Sequence, residues 1–195
     1  ERYTKGLKSC LKFVKKYKVL ISIGVVFFLT VASTQYLKPH YTYRIIDNEQ
    51  AINKSISKMV DQPIQIKLMK DIDNKRIVLF TLGSEIGESV LTKGSNNKFK
   101  LDSTGYGSNE VRYRIINTNK GQYVKFIGRN TDNISKILTI VDGEKYYLSV
   151  LEAGYFISYV PLIQKTESNF PSGSVWYDNQ DKEIIRINIS KDYIL

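Results

Sequence analysis

"IQIKLMKDIDNKRIVLFTL", residues 64–82, is the stretch on which the fold turns. Ile64, Ile66 and Leu68 fall on one side and Gln65, Lys67 and Met69 on the other, the two-residue period of a half-buried strand. "DIDNK" (71–75) reads as a turn, and "RIVLFTL" (76–82) as a second, more buried strand. The residues before Pro63 have a different period. In "IIDNEQAINKSISKMV" (45–60), Ile45, Ile52, Ile56, Met59 and Val60 share one helical face, with Lys54 and Lys58 on the polar side. Asp47 or Asn48 can cap that helix, Glu49 suits its positive end, and Pro63 closes it.

Downstream the alternating pattern recurs. "SVLTK" and "KFKLD" flank "GSNN", "VRYRII" and "QYVKFIG" flank "NTNKG", and "KILTIV" and "KYYLSVL" flank "DGE". The last is the strongest hairpin signal, because Asp-Gly supplies the positive φ values of a primed turn. "YFISYVPL" follows, and "SVWYD" and "EIIRINI" flank "NQDK". About ten short strands after one helix, with no helices between them, exclude a parallel βαβ design. The expected class is α+β: a mainly antiparallel sheet, curved or doubled into two layers, with one amphipathic helix packed on it. No fixed repeat is visible, which argues against solenoids and propellers.

Upstream lies an uncharged apolar run from Val19 to Thr34, extended by Gln35, Tyr36 and Leu37 to reach Lys38. At about 1.5 Å per residue, 19 to 20 helical residues cross a hydrocarbon core of about 30 Å. Tyr17 and Tyr36 mark the ends, Lys18 and Lys38 can extend to water, and Pro39 is expected to stop the helix. Two other readings exist. The run is a core helix of a soluble protein, although it lacks an amphipathic stripe. Or it is a signal peptide cleaved after Ser33, where "VAS" (31–33) has the small residues required; for that the run and its basic prelude are long.

The chain has 195 residues and a net charge of +10, unevenly spread. Seven basic residues, Arg2, Lys5, Lys8, Lys12, Lys15, Lys16 and Lys18, stand against Glu1 before the run, while only Lys38 and Arg44 closely follow it. A membrane accounts for this asymmetry better than nucleic acid, for which no module motif is present. The expected organisation is a basic cytoplasmic tail (1–18), a transmembrane helix in contact with the bilayer (19–37), a stalk (38–46) and an extracytoplasmic β-rich domain (47–195). The single cysteine, Cys10, excludes an internal disulfide and a cysteine-rich zinc site. A disulfide-free exported domain, rich in Lys, Asn, Ile and Tyr, suits a Gram-positive bacterium with an AT-rich genome.

Signals for chemistry are sparse. The sole histidine, His40, follows Pro39 at the end of the run and is read as a stalk residue. "DIDNK" begins like a calcium loop but lacks the glycine, and Leu82 stands where glutamate is needed. "GYGSN" (105–109) can offer amide groups to an anion or be an inter-strand loop. Glu85, Glu88, Asp102 and Glu110 can include a carboxylate pair for glycosidic chemistry or be solvated charges. The triplets at Asn53, Asn133 and Asn188 match the glycosylation pattern by chance in an Asn-rich chain. No catalytic, cofactor or metal residue is assigned. In Tyr146-Tyr147 and Trp176-Tyr177 one ring of each pair should be core, and its neighbour either surface or packed on a second face.

The helix "EQAINKSISK" (49–58), the hairpin "KRIVLFTLGSEIGESVLTKG" (75–94) and the late "DGEKYYLSVLEAG" (142–154) with "SGSVWYDNQDKEII" (172–185) resemble small membrane-anchored or exported proteins of Bacillus-type Gram-positive bacteria. The resemblance covers residues 47–188. It implies compartment and fold type and transfers no site residue. The expected function is therefore a non-enzymatic, membrane-anchored binding or accessory protein, sensory or assembly-related, with a membrane-protein or wall partner. The alternatives are an envelope enzyme or a protein secreted after cleavage.

Overall fold

Lys18–Thr42 forms one helix, α1, with its apolar side chains open to the surroundings along its length. The computed structural model describes residues 16–151 and 154–188 and divides into two units, Glu1–Arg44 and Ile45–Leu195. The basic segment 1–15 with Cys10, and Ile189 of the last expected strand, lie outside the described residues. Within α1, the Ser22, Thr30 and Thr34 hydroxyls donate to the carbonyls of Lys18, Val26 and Thr30 at 2.9, 2.8 and 3.1 Å. Ser33–Leu37 widens to π geometry, with the Lys38 N–H bonded to the Ser33 carbonyl. Pro39 does not end the helix, as the sequence implied. It enters the first turn of a fresh α segment, Lys38–Thr42, where a missing N–H costs least. Half of the expected stalk is thus helical, and Ile45 is already paired: Ile45 and Phe99 exchange backbone bonds of 2.9 and 2.7 Å.

The second unit starts with α2, Glu49–Val60. The Asn48 side chain accepts from the Ala51 N–H at 2.7 Å, and Asp61 ends the helix in the left-handed conformation, two residues before Pro63. Ile52 and Ile56 are fully buried, a burial that stabilises by about 1.5–3 kcal/mol each. Met59, expected on the same face, is exposed, because the stripe narrows at the last turn.

Among the described residues eleven antiparallel strands follow: β1 Gln65–Ile72, β2 Lys75–Leu82, β3 Glu85–Lys93, β4 Phe99–Gly107, β5 Val111–Asn117, β6 Gln122–Asn130, β7 Lys136–Val141, β8 Glu144–Ser149, β9 Gly154–Pro161, β10 Gly173–Tyr177 and β11 Glu183–Ile187. They form three sheets rather than one curved or doubled sheet: β1-β2-β3-β4, β5-β6-β9 and β11-β10-β7-β8. The apolar clusters stack them. Ile52 and Ile56 of α2 pack with Val78, Phe80, Leu91 and Phe99 on one face of the first sheet. Its other face, with Ile77, Leu79, Ile86 and Val90, meets Ile116, Ile127 and Ile157 of the middle sheet. The middle sheet's opposite face, with Val124, Phe126 and Phe156, meets Ile137, Leu148 and Trp176 of the third. The order of layers is helix, sheet, sheet, sheet, and the middle sheet is covered on both faces.

Turn chemistry closes the hairpins. Asp142 and Gly143, with φ of 49° and 86°, make the primed turn between β7 and β8. Asp73 takes φ of 54° in the β1–β2 turn, so "DIDNK" is a hairpin turn. In β1 the register slips between Ile66 and Leu68, so Lys67 bulges. The bulge moves Leu68 to the middle-sheet side, while Ile64 and Ile66 stay against α2; the strict alternation expected of β1 breaks there.

Candidate functional site

A cleft of about 490 Å³ opens where the first and middle sheets end in their neighbouring edge strands, β4 and β5. Its walls include Glu88, Ser103, Gly105, Asn109, Arg112 and Arg114. The register explains how these residues converge. Across an antiparallel pair, directly opposed residues face the same way. Arg112 is opposite Ile127, and Arg114 is opposite Lys125. Ile127 belongs to the layer between the first and middle sheets, so all three basic residues point toward the first sheet. On that sheet Glu88 lies between Ile86 and Val90, which face the middle sheet, and opposite Gly105. One carboxylate from the first sheet therefore faces the side of the middle sheet that carries three cationic side chains, and it pairs with Lys125.

Lys125 is fully buried and donates its Nζ to Oε1 of Glu88, whose side chain is 12% exposed. Burial, the strongest influence, pushes the Lys125 ammonium down; the Glu88 carboxylate opposes that, and Arg114 and Arg112 add to it by like-charge repulsion. The arginines are less settled. Among the described residues Arg112 forms no ion pair, and its Nε is buried without a hydrogen-bond partner. Arg114 is exposed, with its guanidinium 5.6 Å from the Phe170 ring. Gly105 and Gly107 line up on the inner face of β4 opposite Glu88 and Ile86. A Cβ at 105 would stand 3.4 Å from one Arg112 terminal nitrogen, and a Cβ at 107 would stand 3.7 Å from the other. The alternation Gly-Tyr-Gly thus leaves a seat for the guanidinium and turns the Tyr106 ring outward to solvent.

The sequence candidates are scattered differently from expectation. The stretch 105–109 is not a free loop, since its first three residues complete β4. The carboxylates take separate partners: Asp102 is held by Lys75 and Lys100, each at 2.8 Å, Glu110 by Arg129 at 3.4 Å, and Glu88 by Lys125. Burial is the strongest influence on Asp102, but hydrogen bonds from Lys100, Lys75 and Thr92 outweigh it and keep its carboxyl below the usual range. Asp73 accepts from the Thr118 hydroxyl at 2.7 Å, which ties the β1–β2 turn to the β5–β6 turn. Among the described residues no group of three His, Cys, Asp or Glu side chains is placed to hold a metal. Of the aromatic pairs, Tyr146 and Trp176 are core, Tyr147 is exposed, and Tyr177 packs on Ile140 and Val175.

Arg112, Arg114 and Lys125 were not singled out by sequence reasoning. Their signal is visible in retrospect: "RYR" places two cations on one strand face, and Lys125 interrupts an apolar strand between Val124 and Phe126. Comparison with known proteins finds no family model, no curated protein and no solved structure that matches the chain. The site therefore rests on its own geometry: a polar recess with an excess of cationic donors.

Proposed function

We propose that the chain is a single-pass membrane protein whose extracytoplasmic, β-rich unit binds a ligand or partner and performs no catalysis. The observation that carries this reading is α1. Its 25 residues extend about 37 Å at 1.5 Å per residue, enough to cross a bilayer core with some tilt. Val19, Val25, Phe27, Phe28 and Leu29 are exposed. Its internal hydroxyls satisfy themselves on the preceding turn, as lipid requires. The excess of basic residues ahead of α1 orients the N-terminal side to the cytoplasm and the second unit to the exterior. Only Tyr43 and Arg44 lie between the last helical residue and the first paired residue, Ile45, so the domain is tethered closely. Such confinement raises its effective concentration for anything at the membrane surface. A binding role, sensory or in assembly, suits the cleft, which among the described residues offers donors but no nucleophile paired with a base.

The test is fractionation of cells producing the full chain. Retention in membranes after alkaline carbonate, with loss of the domain on protease treatment of protoplasts, is the expected result. Extraction by carbonate, or an N-terminus beginning at Thr34, would replace the anchor with a soluble or cleaved form.

A further inference from the structure

The cleft between β4 and β5 is lined by two cationic side chains, Arg112 and Arg114, and by one carboxylate, Glu88, which the buried Lys125 already occupies. Arg112 is left with an orphaned, buried Nε and a guanidinium seated over two glycines. Leaving a buried donor unmade costs free energy that an incoming acceptor recovers. The acceptor must be anionic, because a charged fork next to a second arginine favours oxyanions over neutral groups. A tetrahedral oxyanion has enough oxygens to engage Arg112 and Arg114 together, which stand two residues apart on one face of β5. The remaining walls supply hydrogen-bonding groups of another kind: the Ser103 hydroxyl, the Asn109 amide and the outer rim of Glu88. A carboxylate beside an oxyanion seat is unfavourable unless it accepts from hydroxyl donors on the same ligand.

We infer that this cleft binds a phosphate-bearing polyol or sugar, with Arg112 and Arg114 on the phosphate and Glu88, Ser103 and Asn109 on the hydroxyls. The inference rests on the binding role proposed above and gives it a ligand class. Two sources share this chemistry, a soluble or wall-linked polyol phosphate and a glycerol headgroup in the lipid, and the test below separates them.

The test uses the full chain in phosphatidylcholine nanodiscs, titrated calorimetrically with sn-glycerol 3-phosphate, inorganic phosphate and glycerol. Saturable binding of glycerol phosphate, weaker binding of inorganic phosphate and none of glycerol are expected. Arg112→Gln and Arg114→Gln should each weaken binding at least about tenfold, with unchanged circular dichroism. Arg114 is exposed, so its variant keeps the test valid should loss of Arg112 disturb packing. Arg112→Lys, which keeps the charge and loses the fork, should fall between. A second preparation with phosphatidylglycerol in the nanodisc separates the sources: suppression of glycerol phosphate binding there identifies the headgroup, and unchanged binding identifies a soluble or wall-linked ligand. No saturable binding of either phosphate probe, or equal binding by both glutamine variants and the parent, overturns the assignment. Carbonate extraction of the same variants reports separately on the anchor, so either reading can fail without the other.

Discussion

The Lys125 ammonium is wholly removed from solvent and donates to the Glu88 carboxylate across the gap between two sheets. Here a charge from the middle sheet penetrates the layer that Ile77, Leu79, Ile116, Ile127 and Ile157 fill. A buried pair of this kind contributes little net stability, because desolvation offsets attraction, yet breaking it from one side is costly. Glu88→Gln strips the ammonium of its carboxylate partner and should cost about 3–5 kcal/mol. Lys125→Met keeps the stem's packing and leaves Glu88 at the cleft mouth beside two arginines, so it should lie within about 1.5 kcal/mol of the parent. The double variant should recover most of what Glu88→Gln loses. Urea denaturation of the three proteins measures this. Equal losses for both single variants would mean that the pair acts as mere packing.

The same pair sets a dependence on pH. The groups around Lys125 are Glu88 from β3, Arg112 and Arg114 from β5 and, on β9 directly opposite, Tyr159, whose ring also meets Lys70 of β1 at 5.3 Å. Burial lowers the folded pKa of Lys125 below the value near 10.4 of an unfolded chain. Between the two values the unfolded chain binds the extra proton, so stability rises with pH there and the effect is complete above the unfolded value. Relative to Lys125→Met, which has no such group, the parent should gain stability as pH rises through the alkaline range toward the unfolded value of about 10.4. Denaturation of both proteins across that range supplies the comparison. A constant difference would assign Lys125 an ordinary pKa.

The hairpins and α2 were legible because their determinants are local. Asp142-Gly143 forces a primed turn, Asn48 caps the residue three positions on, and the spacing of Ile52 and Ile56 sets the buried face. What escaped is set by partners distant in sequence. The bulge at Lys67 reverses Leu68 relative to Ile66, and nothing in "IQIKLMK" marks it. The division into three sheets depends on which strands leave one layer for the next, as β9 does when it pairs with β6 rather than its neighbour β8. The cleft was illegible for the same reason. Glu88 is 37 positions from Lys125, and Arg114 joins them only through its register with Lys125. A charged residue inside a strand was the available signal.

Gly87 shows how tightly the first sheet is packed. It lies opposite Phe80, whose ring folds over the space a Cβ at 87 would need, and Phe80 is fully buried against α2. Gly87→Ala should therefore overpack the helix-facing core and cost about 1–3 kcal/mol. Gly87→Ala with Phe80→Leu should be less impaired than the two separate losses added together, since the smaller side chain vacates the clash. A thermal denaturation series on the four proteins checks the coupling, and simple additivity would show that Gly87 is not held by Phe80.

α1 makes the most direct demand on the surroundings. Phe28 lies midway along the apolar run and is 71% exposed, while Tyr36 lies near its end. A lipid-embedded helix should resist a charge at its centre by about 2.5–3.5 kcal/mol and tolerate one at its edge, where the side chain reaches water. Phe28→Arg should therefore reduce the carbonate-resistant fraction sharply, whereas Tyr36→Arg should leave it close to that of the parent. A helix resting in water or against a soluble partner has no reason to distinguish the two positions by depth. Equal effects of both substitutions on membrane retention would remove the bilayer as the environment of α1, and with it the argument that the β-rich unit works at a membrane surface.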